Sequence, residues 1–164
     1  MNTKISLRPA LPADAPALAQ LFRASVEELG PEDYSHAQVE AWSAVAEDEE
    51  GFAAKLLSEL TIVALIGGRI AGFATLKGAE KFDMLYVHPE FVLKGVATLL
   101  ADAIEKLAAA RKTAKLTVDA SDCAQAFFAK RDYVSERRNM VFVGDEVLGN
   151  TTMTKSLIVK AQVQ

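Results

Sequence analysis

The sequence has little of what marks a secreted, membrane-spanning or nucleic-acid-binding protein. Its 164 residues include one cysteine, Cys123, so no internal disulfide framework is possible. No apolar run approaches the roughly 18 residues that a spanning helix needs, and the first residues lack the apolar stretch and cleavage site of a secretory signal. The net charge of -4 argues against a broad affinity for phosphate backbones. These absences predict a cytoplasmic protein that binds neither membranes nor nucleic acids.

The chain also lacks internal repeats, low-complexity tracts and Ser/Pro-rich linkers, so nothing marks a second domain. A length of 164 residues suits one ordinary domain, and an apolar share of 51% is enough to fill its core. We therefore predict a single domain over residues 1–164, with residues 157–164 as a C-terminal tail.

Alternating and helical spacings of apolar residues predict the order of elements. A short strand lies near residues 5–7, a helix ends near Glu28, and Ser35 with Gln38 forms a capping box that starts a second helix. The acidic run Glu47–Glu50 is interpreted as a solvated loop. The other predicted elements are strands at 61–65, 70–76, 82–87, 116–118, 133–143 and 147–158 and helices at 52–57, 95–110 and 122–130.

The junction between the strand ending at Val87 and the helix starting near Gly95 is the strongest candidate for a site. A strand, a loop, a long helix and a strand form a βαβ unit, which predicts a mixed sheet. The helix N-terminus favours an anion, Gly95 and Ala97 keep its N–H groups accessible, and Lys94 adds charge. An ordinary loop glycine explains the pattern equally well. Neither dinucleotide nor nucleoside-triphosphate fingerprints are present.

Element order and motif spacing together resemble the GCN5-related N-acetyltransferases (GNAT). Their pyrophosphate loop reads Gln/Arg-x-x-Gly-x-Gly/Ala, which Gly95 and Ala97 match and Val92 does not. Loss of the polar first residue removes a side chain but leaves the N–H groups of the loop. We therefore expect cofactor binding to survive.

A second family segment, Asn-x-x-Ala-x-x-Phe-Tyr-x-Lys, is matched at Ser121, Ala124, Phe127, Phe128 and Lys130, with Ser in place of Asn and Phe in place of Tyr. The resemblance covers essentially the whole chain.

Three further stretches are similar to the YafP-like subgroup of bacterial acetyltransferases. They are Asp83–Leu85, Leu116–Ser121 and the pair Asn150 and Met153. This similarity narrows the family more than the substrate.

The resemblance implies an α/β (α+β) GNAT fold with a mixed, mostly antiparallel sheet of about seven strands, a βαβ cofactor-binding unit and helices on both faces. It implies acetyl-coenzyme A (acetyl-CoA) as cosubstrate, with no metal, and direct attack by a primary amine of a small molecule or peptide. The implied cofactor-binding residues are Leu85, Tyr86, Val87, Val92, Leu93, Lys94, Gly95, Val96, Ala97, Thr98, Ser121, Phe127, Phe128 and Lys130.

Asp83 is the first candidate for the general base, because partial burial in an apolar strand would raise its pKa. The alternative is a carboxylate satisfied by a neighbour. His88 precedes a proline and is more typical of a turn. In many family members the Tyr at the position of Phe128 protonates the leaving thiolate, which a phenyl ring cannot do, and we favour Tyr86 over Tyr133 for that role.

Asp83 and Tyr86 would face opposite sides of a regular strand, because side chains alternate with a period of two. A β-bulge is required to bring them together. Cys123 is interpreted as a small packing residue rather than a nucleophile.

The first helical pair carries Tyr34, His36 and Trp42, and in the family this pair tends to form the acceptor wall. Tyr34 and Trp42 are therefore candidate substrate-binding residues, with core packing as the alternative for Trp42. Family members often pair through their last strands, so a homodimer through Val141–Val143 and Val147 is a further expectation.

Two other functions stay open at this stage. The departures at Val92, Ser121 and Phe128 also suit a CoA-binding regulator that has lost catalysis. An acyltransferase acting on charged tRNA would need a basic face, which the acidic balance disfavours.

Overall fold

One sheet of seven strands organises residues 4–157, the part of the chain that this computed structural model describes. The order across the sheet is β1-β2-β3-β4-β5-β7-β6, and every neighbouring pair is antiparallel except β4 and β5. The predicted mixed, mostly antiparallel sheet is confirmed. The strands are β1 (Ile5–Pro9), β2 (Leu60–Ile66), β3 (Arg69–Lys77), β4 (Lys81–Val87), β5 (Lys115–Ser121), β6 (Val134–Val143) and β7 (Glu146–Ser156).

Helices cover both faces of the sheet, as predicted. The first three pack with Phe73, Met84 and Leu148 on one face, and the last two pack with Phe82 and Val118 on the other. The predicted residues 158–164 of the tail lie outside the described part. The helices are α1 (Ala15–Leu29), α2 (His36–Ser43), α3 (Glu49–Ser58), α4 (Val96–Ala110) and α5 (Gln125–Lys130).

Two helix starts are set by side-chain caps. The predicted capping box of α2 is confirmed, because Ser35 Oγ accepts from the N–H of Gln38 at 3.2 Å and Gln38 Oε1 accepts from the N–H of Ser35 at 2.9 Å. The loop interpretation of Glu47–Glu50 is wrong. Asp48 caps α3 by accepting from the N–H of Gly51 at 3.0 Å, and two glutamates form its first turn. Negative charge is favourable at that end of a helix.

The β2–β3 hairpin turns at Gly67 and Gly68, as predicted. Their φ angles of +57° and +80° are the left-handed values that a tight two-residue turn between twisted strands needs. Gly72 on β3 has a different purpose. A Cβ there would lie 2.8 Å from Val96 Cγ1, so its absence lets the first turn of α4 approach the sheet.

The parallel strands β4 and β5 separate soon after they begin. Their register joins only Lys81 to Thr117 and Phe82 to Val118, although β4 continues to Val87 and β5 to Ser121. β5 is also longer than the predicted segment. Their remaining lengths therefore leave a gap in the middle of the sheet.

A β-bulge interrupts β4 beside this gap. Thr75 of β3 lies opposite Met84 and Leu76 lies opposite Phe82, which leaves Asp83 without a partner. The Asp83 carboxylate contacts α3, on the face where Met84 and Tyr86 pack. The bulge that sequence reasoning required to bring Asp83 and Tyr86 to one face is present.

On the edge strand β6, fewer apolar side chains face solvent than the expected dimer contact assumed. Val141 and Val143 pack toward the cluster under α1–α3, whereas Phe142 is 85% exposed and Met140 is 67% exposed. Alternation along the strand explains the difference.

Candidate active site

The gap between β4 and β5 opens into a cavity of about 440 Å³. Its walls come from the end of α1, the end of β4, the start of α4 and the turn before α5. The predicted cofactor residues among its lining are Leu85, Tyr86, Val87, Val92, Leu93, Gly95, Val96, Ala97, Thr98, Ser121 and Phe127.

One end of this larger cavity is the N-terminus of α4. Gly95 is the N-cap with a φ of +88°, no side chain caps this helix start, and its first turn carries no acidic residue. The first N–H groups of a helix have no partner within the helix, so they are free to bind an anion. A Cβ at Gly95 would meet no atom within 4 Å, so glycine supplies the positive φ and an open approach.

Three of the predicted cofactor residues do not line the larger cavity. Lys94 and Lys130 are exposed and lie outside it. Phe128 is 2% exposed, with its ring centroid 5.4 Å from Phe82 and 5.0 Å from Tyr133. Phe128 contributes only to a second, smaller cavity.

Sequence reasoning missed the wall at the end of α1, formed by Ser25, Val26 and Leu29 of the helix and by Gly30 just after it. Helical spacing showed which side chains of α1 are apolar, but not which end of the helix reaches the cavity. Cys123 also lines this cavity, and burial raises the pKa of its thiol to about 12. The thiol is therefore neutral at pH 7, which does not suit a nucleophile, but Cys123 is exposed, so the predicted packing role is wrong.

The second cavity, of about 180 Å³, lies further back along the gap, where its lining includes residues 82–86 of β4 and 118–121 of β5. Residues of α2 and the last four strands of the sheet contribute to its lining. The two cavities meet at residues that line both, which are Trp42, Leu85, Tyr86, Ser121 and Ala124.

Both candidate acceptor residues line this smaller cavity, in different ways. The Tyr34 hydroxyl is already bonded, because it donates to Gly149 O at 2.6 Å and accepts from the N–H of Asp122 at 2.9 Å. Burial raises its pKa. Trp42 borders both cavities and packs edge-on against Tyr34, with ring centroids 5.5 Å apart. His36 is exposed and lies outside both cavities.

Asp83 lines the smaller cavity and is held by an ion pair. Lys55 Nζ lies 2.7 Å from Asp83 Oδ2 and 3.0 Å from Glu59 Oε2. Burial alone would raise the pKa of Asp83, but Lys55 and a hydrogen bond from Glu59 outweigh it and hold that pKa below its usual value. The expected raised pKa is therefore wrong in direction.

Tyr86 stands where the cavities meet, in an aromatic surrounding. Its ring centroid is 4.7 Å from Phe22 and 5.7 Å from Phe73. Burial raises the pKa of Tyr86, so the phenol keeps its proton at neutral pH.

Tyr133 and His88, which sequence analysis ranked lower for proton transfer, lie outside both cavities. Tyr133 donates to Glu105 Oε2 at 2.9 Å and borders neither cavity. His88 Nδ1 accepts from the N–H of Glu90 at 3.1 Å, which is the predicted turn role.

A second carboxylate in the smaller cavity escaped sequence reasoning. Asp119 Oδ1 accepts from Thr152 Oγ1 at 2.7 Å, and its other oxygen is 3.1 Å from Lys81 Nζ. Asn139 donates to Thr152 Oγ1 and to Asn150 Oδ1 at 2.7 and 2.9 Å. The sequence did contain a signal for this position. Asp119 and Thr117 alternate with the buried residues Leu116, Val118 and Ala120, which indicates that the two polar side chains share the other face of the strand.

Within residues 4–157, no group of three or more His, Cys, Asp or Glu side chains is placed to hold a metal ion. In the same range no helix is both long and apolar enough to cross a membrane.

Comparison with known proteins gives a consistent assignment. A sequence model of the acetyltransferase (GNAT) domain matches residues 31–157. The uncharacterized N-acetyltransferase YafP of Escherichia coli strain K12 is 31% identical over 137 residues, which are 84% of this chain and 86% of that protein.

Solved structures share the fold. A crystal structure from Rhodopseudomonas palustris, described as a GCN5-related N-acetyltransferase (aminotransferase, class II), has a TM-score of 0.93 and 53% identity, and the match covers 95% of this chain and 98% of that one. The PaiA N-acetyltransferase of Thermoplasma acidophilum, solved with coenzyme A, has a TM-score of 0.78 and 19% identity, with 93% and 99% covered. At that identity the second match shows the fold alone.

Proposed function

Because the chain belongs to the GNAT family of acetyltransferases, we propose that it transfers the acetyl group of acetyl-CoA directly to a primary amine of a small molecule or peptide. The observation that carries this proposal is the meeting of two cavities at Tyr86. The larger cavity ends in an anion site and suits the cofactor. The smaller cavity adjoins the larger one at the same residue and suits the acceptor.

In this proposal the pyrophosphate lies at the N-terminus of α4, over Gly95 and Val96. The pantetheine arm follows Leu85–Val87, where β4 no longer pairs with β5 and its backbone groups are free for a ligand. That path carries the thioester to the gap between the strands. A backbone N–H of β4 near Tyr86 then stabilises the oxyanion of the tetrahedral intermediate.

The side chains at the junction supply the proton transfers. Asp83 accepts a proton from the ammonium group of the acceptor, and the neutral amine attacks the thioester carbonyl. The C–N bond forms, the C–S bond breaks, and Tyr86 donates its phenolic proton to the departing thiolate. The nitrogen loses its second proton as the amide forms, and this proton restores Tyr86.

The charges of the smaller cavity bear on the acceptor. Asp83 and Asp119 both line it, and a cationic amine complements two carboxylates. A volume of about 180 Å³ favours an acceptor that inserts one slender amine-bearing arm. The proposed acceptor is therefore cationic.

The proposal includes a cytoplasmic setting and a homodimer through β6. Exposed Phe142 at the free edge of the sheet supports the dimer. Light scattering with size-exclusion chromatography of the wild type and Phe142→Glu tests it, since a monomeric wild type would contradict the dimer.

The function is tested in two steps. Calorimetry with acetyl-CoA measures binding, and release of free thiol is then followed with spermidine, tryptamine, histamine, lysine methyl ester and an alanine-initiated peptide. We expect binding at micromolar concentration and thiol release with at least one cationic amine. Binding without transfer to any amine would favour the inactive regulator, and absence of binding would contradict both functions.

A further inference from the structure

A small group of buried polar atoms lies behind the smaller cavity, the one proposed to bind the acceptor. Within residues 4–157, the buried side-chain oxygens without a well-formed hydrogen bond are Glu59 Oε1, Thr75 Oγ1 and Asp83 Oδ2. Glu59 lies within hydrogen-bonding contact of both other side chains. Lys55 Nζ lies 2.7 Å from Asp83 Oδ2 and Thr75 has its own hydroxyl hydrogen, so this buried group is short of positive charge, which one proton between the carboxyls would supply.

The net charge of the group explains why it would bind a proton. Glu59 and Asp83 are bridged by one ammonium, Lys55, so the group carries a net charge of -1 when both carboxyls are ionised. The Glu59 side chain is only 2% exposed. One added proton makes the buried group neutral, and the carboxyl that carries it can donate a hydrogen bond to the other carboxyl.

The two carboxyls differ in their hold on this proton. Burial raises the pKa of Glu59, and the Asp83 carboxylate beside it raises it further, against the opposing effect of Lys55. The pKa of Asp83 stays below its usual value. A proton that enters the pair therefore settles on Glu59, and Asp83, which lines the cavity, is left as a carboxylate.

We propose that Glu59 stores the proton that Asp83 takes from the acceptor amine, so that the two carboxyls act as one base. Asp83 supplies the oxygen that contacts the acceptor. Glu59 touches no substrate and is a positioning residue. The catalytic part of this inference rests on the proposed function, whereas the sharing of a proton does not.

Proton balance explains why the site needs such a store. Acetyl transfer converts R–NH3⁺ and acetyl-CoA into R–NH–CO–CH3, CoA–SH and one free proton. The nitrogen loses two protons, of which one restores the acid that protonated the sulfur. The other is taken by the pair, whose two carboxyls are both ionised when the turnover begins: it passes from Asp83 to the Glu59 carboxylate and then returns to solvent beside Lys55, whose side chain is 40% exposed.

The other charged or titratable groups around the pair are few. Lys55 faces it from α3, Lys81 and Tyr86 from β4, and Asp119 across the gap. Thr75 faces it from β3 and does not titrate. Lysines and tyrosine keep their protons in the acid range, so only carboxyls respond there.

The shared proton is tested by carboxyl 13C NMR titration of the protein without ligand. We expect Asp83 to titrate below and Glu59 above the usual carboxyl range of about 3.9–4.3. In Asp83→Asn the Glu59 midpoint should fall back toward that range, because the neighbouring negative charge is gone. Two independent midpoints within the usual range, or a Glu59 midpoint that ignores Asp83→Asn, would overturn the inference.

The catalytic step is tested with Glu59→Gln, which keeps the shape of the side chain but cannot store a proton. With one amine from the panel, the acid limb of the kcat profile should move to lower pH and the plateau should fall by about tenfold or more, since Asp83 alone is a weaker base. The KM for the amine should not change. Because the wild type and the variant are compared with the same amine, the titration of that amine affects both pH profiles equally.

Glu105→Gln is the matched control, because Glu105 is a largely buried glutamate, 13% exposed, that is ion-paired with Lys155 and Arg131 on the other face of the sheet. It should lower stability without moving the pH profile. An unchanged profile in Glu59→Gln would mean that Glu59 is only structural. If the wild type acetylates no amine, the proposed function fails, while the NMR titration still decides whether the proton is shared.

Discussion

The hydroxyl of Tyr34 donates a hydrogen bond to the carbonyl oxygen of Gly149 at 2.6 Å, across 115 positions of the chain. The hydroxyl oxygen of Tyr34 also accepts a hydrogen bond from the N–H of Asp122. One buried phenol therefore joins the segment before α2 to β7 and to the turn before α5. These are three of the walls of the smaller cavity.

Tyr34→Phe should lower the free energy of unfolding by about 1–3 kcal/mol, because it keeps the ring but leaves Gly149 O and the N–H of Asp122 without their partner. Urea unfolding measures the change. The affinity for acetyl-CoA should stay the same, since Tyr34 does not line the larger cavity. Wild-type stability in the variant would show that the bond contributes nothing net.

Gly95→Glu should weaken acetyl-CoA binding by about 100-fold or more, since its carboxylate would stand at the anion site. Gly95→Ala is the control for strain, because any Cβ at a φ of +88° costs about 1–2 kcal/mol. Lys94→Ala should have little effect, because this exposed side chain lies outside the cavity. Calorimetry separates the three variants, and equal affinities for Gly95→Glu and Gly95→Ala would place the pyrophosphate elsewhere.

Tyr86→Phe should reduce kcat by about 100-fold while the affinity for acetyl-CoA is kept, because the proton donor is lost but the contacts with Phe22 and Phe73 remain. Steady-state thiol release measures the loss. Tyr133→Phe removes a phenol that bonds Glu105 and should change stability rather than kcat. A normal kcat in Tyr86→Phe would exclude this tyrosine as the acid.

Glu105 should make stability depend on pH in the acid range. Burial raises its pKa, but bonds from Arg131, Lys155 and Tyr133 outweigh burial and leave the pKa below the usual value. The stabilisation is complete above the unfolded pKa of about 4.3 and is lost as pH falls through the folded pKa. Urea unfolding at several pH values should give a flatter curve for Glu105→Gln, with the largest difference near pH 7. Parallel curves would contradict this assignment.

Much of the fold was accessible from local patterns. The spacing of apolar residues in α4, the glycine pair of the β2–β3 hairpin and the capping box at Ser35 all gave correct elements, because each is decided within a few residues. The start of α3 was missed for a different reason. The acidic run after α2 was judged as a poor helix end and not as a good helix start, which Asp48 provides.

The site was accessible only in part. Gly95 was placed correctly at the start of α4 and beside the larger cavity, because that position follows from the strand–loop–helix order. The contribution of Leu29 and Gly30, the inward position of Phe128 and the ion pair of Asp83 with Lys55 depend on how distant segments pack, which no local pattern encodes.

The bulge in β4 has one more consequence. With Asp83 left out, Phe82, Met84, Leu85 and Tyr86 alternate regularly between the two faces and pair regularly with β3. Asp83 is thus an insertion of one residue into an otherwise complete strand. Its removal would not turn any core side chain to the wrong face, so the sheet does not need it. The proposed role of Asp83 as the base would account for a carboxylate that the sheet itself does not require.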